Sequence, residues 1–233
     1  MKSGKALGDF PSMPLPQGLD GQPWEVIDGN FLLAEQCNSD PIEQGQLVEN
    51  NLRMFNDEQR TAYNYIMDSV EHVSGRLFFL HSAGGCGKTF VCNTIAAATR
   101  SQEKIALCVA SSGIASLLLE GGRTAHSCFK IPIPVTEASV AQIKKDSHMH
   151  EVLRQTKIII WDEVPMQHKH AVHSVDRALC DLLGKEMPFG GITVLFAGDF
   201  CQTLPVVPKR MHQQIVAASL CRSYLGMIFK CIS

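Results

Sequence analysis

The stretch His81 to Thr89, HSAGGCGKT, constrains the fold more than any other part of the chain. It departs from the phosphate-binding loop pattern G-x-x-x-x-G-K-[ST] at one position, because Ser82 stands where the first glycine is expected. The apolar run RLFFLH leads into the stretch, and KTFVCNTIAAATR, which has a helical pattern, overlaps its end. A strand, a glycine-rich loop and a helix in this order predict a phosphate-binding loop in an α/β domain.

Each residue of this loop has a predicted part in holding a nucleotide. Backbone N–H groups would surround the phosphates along Ser82, Ala83, Gly84, Gly85, Cys86 and Gly87. Lys88 would reach the β- and γ-phosphates, and the Thr89 hydroxyl would hold Mg²⁺. Because serine is only slightly larger than glycine, we expect Ser82 to leave nucleotide binding normal or weakened. The alternative is a glycine-rich turn that contains Gly-Lys-Thr by chance.

Acidic residues follow two further apolar runs. IIIWDE ends in Asp162 and Glu163, and FAGDFCQ carries Asp199 and Gln202. In a parallel sheet these residues would emerge at the carboxyl edge, beside the phosphate loop. Asp162 would bind Mg²⁺, Glu163 would act as general base towards water, and Gln202 would sense the γ-phosphate. Solvated polar residues at strand ends are the alternative.

The order of segments predicts the fold class. From about residue 55, runs rich in Ile, Leu and Val alternate with helical patterns such as KHAVHSVDRALCDLLG. This alternation favours an α/β fold with a mostly parallel sheet and helices on both faces. SGIASLLLE is predicted to be a helix, and residues 130–150 a surface excursion. Residues 1–51 hold five of the eleven prolines and an acidic excess, which predicts a flexible, mostly extended leader.

Composition excludes several classes. No apolar run is long enough for a membrane helix, and the first residues lack the apolar core of a secretory signal. The formal net charge is -2, but residues 51–233 carry 19 basic and 15 acidic residues, which permits contact with nucleic-acid phosphates. The nine cysteines are interpreted as buried thiols, with zinc or disulfide sites as the weaker alternative.

Several motifs together resemble one family. FNDEQ, AGGCGKT, ASSGIASLLLEGGRTAHSCFKIPI, IIIWDEVPM, PFGG and AGDFCQTLPVVP occur in this order. The combination is similar to the petite-integration-frequency (Pif) DNA helicases of superfamily one, in particular the Helitron-like branch, over roughly residues 52–233. The resemblance implies a RecA-like ATP-binding domain that uses ATP and Mg²⁺ and acts on single-stranded or forked DNA in the nucleus. Repair, recombination and telomere maintenance are the processes that it implies.

The resemblance also implies residue roles. Gln59 in FNDEQ would read the adenine, and single-stranded DNA would be contacted by Ser111, Ser112, Thr124 and His126. Small hydroxyl side chains and amides at helix starts suit phosphate contact. His126 is equally compatible with a packed core position. Lys130, Lys144 and Lys145 either contact phosphates or are simply solvated.

Three departures from the family pattern affect these expectations. Ser82 replaces the first loop glycine, and Cys201 and Thr203 stand where the family usually has an arginine and a larger aliphatic residue. In the family, the arginine finger and the second RecA-like lobe come after the segment that matches this chain. We therefore expect nucleotide binding with slow hydrolysis, and another chain or self-association as the source of the second lobe.

Two other functions stay open on the sequence. The chain would be a binding module if it held ATP and DNA without turnover. A small-molecule kinase is the other alternative, although Asp162, Glu163 and the GDFCQ segment argue against it. A zinc site at His168, His170 and His173 is a weak hypothesis, because no further ligand stands at the required spacing.

Overall fold

The computed structural model describes residues 31–202, 205 and 211–232. The helices in this part are α1 (Phe31–Cys37), α2 (Pro41–Met54), α3 (Asp57–Glu71), α4 (Lys88–Ser101), α5 (Gly113–Ser116), α6 (Ala125–Phe129), α7 (His148–Gln155), α8 (Lys169–Leu183), α9 (His212–Ala218) and α10 (Tyr224–Ile228). The strands are β1 (Leu77–His81), β2 (Ile105–Ala110), β3 (Arg123–Thr124), β4 (Thr156–Asp162), β5 (Thr193–Gly198) and β6 (Lys230–Ile232). No described helix has the length and apolar character needed to span a membrane.

The six strands form one sheet in the order β3-β2-β4-β5-β1-β6, and every pairing is parallel. Parallel strands need crossover connections, and helices supply them here. The predicted α/β fold with a parallel sheet is therefore confirmed.

Side chains of the strands alternate between two buried layers. Phe78 and Leu80 of β1 join a cluster with α2, α3 and α4, whereas Leu77 and Phe79 join one with α6, α7 and α8. This alternation follows from the two-residue period of a strand. Both faces of the sheet are covered, which explains why the strand segments are almost uniformly apolar.

The predicted extended leader is wrong for residues 31–51, which form α1 and most of α2. Asp40 caps α2 by accepting a hydrogen bond from the Ile42 N–H at 2.9 Å, and Pro41 occupies the first turn. Helix α2 packs on α4, and Val48 and Asn51 are buried there. The composition of residues 1–51, with five prolines and an acidic excess, gave no indication of helix α2. Residues 1–30 lie outside the described residues.

Two further expectations are corrected. The helix predicted over SGIASLLLE is only the four residues of α5, and the side chains of Ile114, Leu117 and Leu118 are largely exposed. After Ser116 the backbone forms hydrogen bonds between residues three apart, such as the bond from the Leu117 N–H to the Ile114 carbonyl at 3.2 Å. The cysteines are free thiols, but only three are fully buried, at positions 92, 108 and 128, so the interpretation as uniformly buried was wrong.

The excursion over residues 130–147 is more firmly attached than its polar composition indicates. The Ala141 N–H donates to the Ser174 carbonyl at 3.0 Å, and Arg177 donates to the Glu137 carbonyl at 2.7 Å. Ile131 and Ala141 are buried in the cluster that Leu77 and Phe79 form with α6, α7 and α8. The excursion therefore packs along α8.

Asn51→Ala tests whether α2 is part of the folded domain. The Asn51 side chain donates a buried hydrogen bond to Thr94 Oγ1 at 3.0 Å, and its loss should cost about 1–2 kcal/mol of unfolding free energy. Asn50→Ala is the matched control, since Asn50 is exposed on the same helix and gains the same helix propensity. Urea denaturation of both variants measures the difference. Equal stabilities would show that α2 is not packed on α4 in solution.

Candidate nucleotide-binding site

The carboxyl edge of the sheet brings the predicted site residues together. β1 and β5 are paired from Leu77–Val194 to His81–Gly198, and β5 is also paired with β4. The three strands therefore deliver their following segments to one place: the phosphate loop, the Asp162-Glu163 pair and the Asp199–Gln202 segment.

Glycines give the phosphate loop its shape. Gly85 and Gly87 have φ angles of 81° and 83°, a region that side chains rarely adopt. Two glutamines also approach the loop closely. A Cβ atom on Gly84 would lie 2.6 Å from Gln202 Nε2, and one on Gly87 would lie 2.8 Å from Gln59 Nε2. The glycines are thus required for backbone conformation and for access to the loop.

Gln59 connects α3 to the phosphate loop. Its backbone N–H donates to Asn56 Oδ1 at 2.7 Å, and its own Oε1 accepts from the Asn56 N–H at 3.2 Å, which completes a capping box. The remaining amide group donates from Nε2 to the Cys86 carbonyl at 3.2 Å. Gln59 therefore lies beside the phosphate loop and is held in a fixed orientation, and its contact with adenine stays a prediction.

Lys88 lies folded over the loop. Its Nζ donates to the Ser82 carbonyl at 2.7 Å and to the Ala83 carbonyl at 3.0 Å. The ammonium group therefore already lies inside the curve of the loop, where an anion would attract it. Ser82 takes part through its backbone carbonyl, which a glycine would supply equally, so its side chain is not required for this contact.

Asp162 ends β4 as a buried carboxylate. Burial raises its pKa, while the Glu163 N–H, which donates to Oδ1 at 2.9 Å, the nearby Lys88 and the Thr89 hydroxyl lower it. Because Thr89 lies close enough to Asp162 to lower its pKa, the two predicted Mg²⁺ ligands lie near each other. A hydroxyl, a carboxylate and neighbouring phosphate oxygens are the donors that Mg²⁺ prefers, so these residues fit the ion.

Glu163 occupies a sharp turn directly after Asp162. Its φ angle is 52°, which is unusual for a non-glycine residue, and it begins the 3₁₀ turn Val164–Met166. Burial raises the pKa of Glu163, and Asp162 and Asp199 add to the increase, whereas Lys88 opposes it. A carboxylate with a raised pKa is a better general base. A Cβ on Gly198 would clash with Pro165, so the end of β5 supports this turn directly.

The segment after β5 closes the other side of the site. Asp199 is buried, accepts a hydrogen bond from the Cys201 N–H at 2.9 Å, and lies 3.7 Å from His81 Nε2. Gln202 continues the turn, because its N–H donates to the Asp199 carbonyl at 3.3 Å. Cys201 contributes its backbone and leaves its side chain exposed. Thr203 lies outside the described residues.

A model of the PIF1-like helicase family matches residues 54–233. The chain belongs to this family. It is 30% identical over 159 residues to an ATP-dependent DNA helicase Pif1 from Psychrobacter, which covers 67% of this chain and 24% of that protein. An ATP-dependent DNA helicase PIF1 from Candida albicans is 29% identical over 176 residues, 73% of this chain and 19% of its own length. The chain thus spans about a quarter or less of these curated relatives.

Solved structures of relatives have the same fold. The Pif1 helicase from Bacteroides in complex with ADP-AlF3 and single-stranded DNA superimposes with a TM-score of 0.59 at 25% identity, over 74% of this chain and 41% of that one. A Pif1 structure described as two coordinating helicases that unwind forked double-stranded DNA gives a TM-score of 0.63 at 26% identity, over 76% of this chain and 43% of that one. The PIF1-like chain therefore has the RecA-like fold that the motifs predicted.

The four DNA-contact candidates of this PIF1-like domain lie together next to the acids. The pairing of Ala110 with Thr124 puts Ser111 and Ser112 alongside Thr124 and His126. The Ser111 N–H donates to the Asp162 carbonyl at 3.1 Å, and Ser112 Oγ caps α5 by accepting from the Ala115 N–H at 3.2 Å. His126 is half-buried, and this burial lowers its pKa, which favours the neutral imidazole.

Sequence reasoning missed Gln167. Its side chain is buried and donates from Nε2 to the Ser111 carbonyl at 3.3 Å, so it links the turn after Glu163 to the predicted DNA segment. The only signal was a polar residue shortly after the Asp162-Glu163 pair, and no periodicity identifies it. Gln167 is a structural connection between the acids and the start of α5.

The histidines of α8 have structural contacts. His168 caps the helix by accepting from the His170 N–H at 3.1 Å, and the His173 ring lies 4.7 Å from the Tyr224 ring. Burial lowers the pKa of His173 to about 4. Within the described part of the chain, no group of three His, Cys, Asp or Glu residues is placed to hold a metal ion.

Asp162→Asn should raise the thermal stability of the nucleotide-free protein at pH 7. A carboxyl group with a raised folded-state pKa stabilises the fold when protonated, and this contribution is lost as pH rises through that pKa. An asparagine can still accept the Glu163 N–H without a buried charge. The difference in melting temperature between Asp162→Asn and the parent chain should narrow as pH falls below 7, because the Asp162 carboxyl then becomes protonated and is as neutral as the asparagine.

Thermal denaturation in EDTA across this pH range measures the effect. Asp181→Asn, on the exposed side of α8, is the matched control and should change the melting temperature little. A lower melting temperature for Asp162→Asn at pH 7 would show that the carboxylate stabilises the ligand-free site.

Proposed function

We propose that this chain is the nucleotide-binding lobe of an ATP-dependent DNA helicase and that it binds ATP with Mg²⁺ at the carboxyl edge of its sheet. The observation that carries the proposal is the position of Lys88, whose Nζ lies on the glycine-rich loop, close to Asp162, whose pKa both Lys88 and Thr89 lower. Lys88, a hydroxyl and a carboxylate in one place match the needs of a nucleoside triphosphate and its metal ion.

The residues divide the work of nucleotide hydrolysis. The N–H groups of the loop and Lys88 would bind the phosphates, and Gln59 would orient the base from its position over the Cys86 carbonyl. Mg²⁺, when bound, would be held by Thr89 and Asp162 and would neutralise phosphate charge. Glu163 would accept a proton from the attacking water, while Gln202 at Gly84 would contact the γ-phosphate.

DNA is the partner that we propose for the adjacent segment. Ser111, Ser112, Thr124 and His126 lie one strand away from the acids, and the backbone bond from Ser111 to Asp162 links the two regions. The Bacteroides relative was solved with both ADP-AlF3 and single-stranded DNA, which supports the pairing of these ligands here. Nucleotide-dependent shifts of Asp162 would therefore reach the DNA segment through a single hydrogen bond.

The wider role follows from the family and remains a proposal. A second RecA-like lobe, from the same longer protein or from another chain, would complete the ATP site and supply the arginine finger. Such fingers accelerate hydrolysis about 10³- to 10⁵-fold in related phosphate-loop enzymes, so this lobe alone should turn over slowly. A nuclear role in repair, recombination or telomere maintenance and a place in the Helitron-like branch are part of this proposal.

Glu163→Gln and Lys88→Ala separate binding from turnover. We expect Glu163→Gln to bind a fluorescent ATP analogue with unchanged or tighter affinity but to lose at least about 100-fold of the ATPase rate, because the general base is gone. Lys88→Ala should weaken ATP binding about tenfold or more, because the loop loses its cation. Rates are measured with and without single-stranded DNA.

Lys104→Ala is the control for loss of a positive charge, since Lys104 is half-buried outside the nucleotide site and its Nζ donates to Gln102 Oε1 at 2.7 Å. Binding without turnover in the parent chain would define it as a binding module that needs a second lobe. Failure of the parent chain to bind ATP would overturn the proposed function.

A further inference from the structure

A cleft of about 450 Å³ lies at the amino edge of the sheet, away from the nucleotide site. Thr156, the first residue of β4, and Ile192, just before β5, line it. Asp162 and Gly198 are at the other ends of the same strands. A strand of this length spans about 20 Å, so the cleft is separated from the site by the whole depth of the sheet.

Positive charge dominates this amino-edge cleft. Lys145, Arg154, Lys157 and Lys185 line it, whereas Asp146 is its only acidic lining residue. The cations come from four separate segments: the loop before α7, α7 itself, β4 and the turn after α8. Among the described residues, these four cations form no ion pair. The fold therefore concentrates unpaired positive charge that is dispersed along the sequence.

The walls of the cleft are held in place. His150 is buried, its Nδ1 accepts from the Asp146 N–H at 3.0 Å, and its Nε2 faces the Leu182 carbonyl at 3.3 Å. Because a carbonyl only accepts, the proton of the neutral ring lies on Nε2. Ser147 adds a hydrogen bond from its hydroxyl to the Lys144 carbonyl at 2.6 Å. The loop that carries Lys145 is thus tied to α7 and to the end of α8.

The exposure of the cations identifies the kind of ligand. Lys145, Arg154 and Lys185 are exposed and Lys157 is half-buried, while Leu153 forms an apolar floor. A small anion would need several donors converging within an enclosed site. A chain of phosphates can instead satisfy separate exposed cations at once, without reading bases.

We propose that the amino-edge cleft binds the backbone phosphates of a second DNA segment, the arm of a fork that is not held at the carboxyl edge. This proposal rests on the proposed helicase function, since it assumes a forked DNA substrate. It adds a sequence-independent contact on the opposite side of the domain from the ATP site. One lobe would then hold both products of strand separation apart.

The double variant Lys157→Glu/Lys185→Glu tests the cleft. We expect its affinity for a fluorescent fork to fall roughly tenfold at low salt, and the slope of log affinity against log salt to decrease in magnitude by about 2, because two phosphate contacts are lost. Its affinity for ATP and for a short single strand should stay unchanged. Lys104→Glu is the matched control, because Lys104 precedes β2 at the same edge but lies outside this cleft.

Lysine acetylation of the parent chain gives a second measurement that does not depend on folding of a variant. The fork should protect Lys157 and Lys185, whereas inorganic phosphate should not. Equal protection by inorganic phosphate would identify a free-anion site and overturn the proposal. Unchanged fork affinity in the double variant would also overturn it and leave the helicase function intact. If the parent chain binds neither ATP nor DNA, the proposed function itself fails.

Discussion

The parallel pairing of β1, β5 and β4 is the constraint on which the site depends. His81 pairs with Gly198 and Trp161 with Phe196, so three chain segments leave the sheet at nearly the same level. A slip of one residue in β4 would turn Asp162 to the opposite face of the sheet and separate it from Thr89. The two buried layers prevent that slip, because the apolar residues on each side of β4 would then lose their partners. The register of β4 therefore determines both the packing of the core and the geometry of the site.

This arrangement places carboxylates close together, so they repel one another. Burial raises the pKa of both Asp162 and Glu163. The neighbouring carboxylates of Asp162 and Asp199 raise the pKa of Glu163 further. Lys88 offsets part of this repulsion but also donates to two loop carbonyls. The charges of this site are therefore only partly neutralised until phosphate and a divalent cation bind. Ligand binding should then stabilise the fold and relieve the repulsion together.

Much of the fold and the site could be predicted because both depend on local patterns. The apolar runs predicted β1, β4 and β5, and the rule that parallel strands end at one edge placed Lys88, Asp162 and Gln202 together there. The failures have physical causes. Helix α2 is stabilised by a few buried contacts with α4, such as that of Asn51, which no composition reveals. The link from Gln167 to Ser111 joins residues 56 positions apart and has no repeating pattern.

Net charge is a poor guide to partners in this chain, because the sheet separates the charges. The acids of the site follow the carboxyl ends of β4 and β5, whereas Arg154 and Lys157 flank the amino end of β4. The formal net charge of -2 is a sum over both regions and therefore shows neither of them. Since fields fall off within about 10 Å at moderate salt, each edge presents its own charge to solvent. A polyanion would therefore meet a local excess of cations at the amino edge, whatever the sum over the chain.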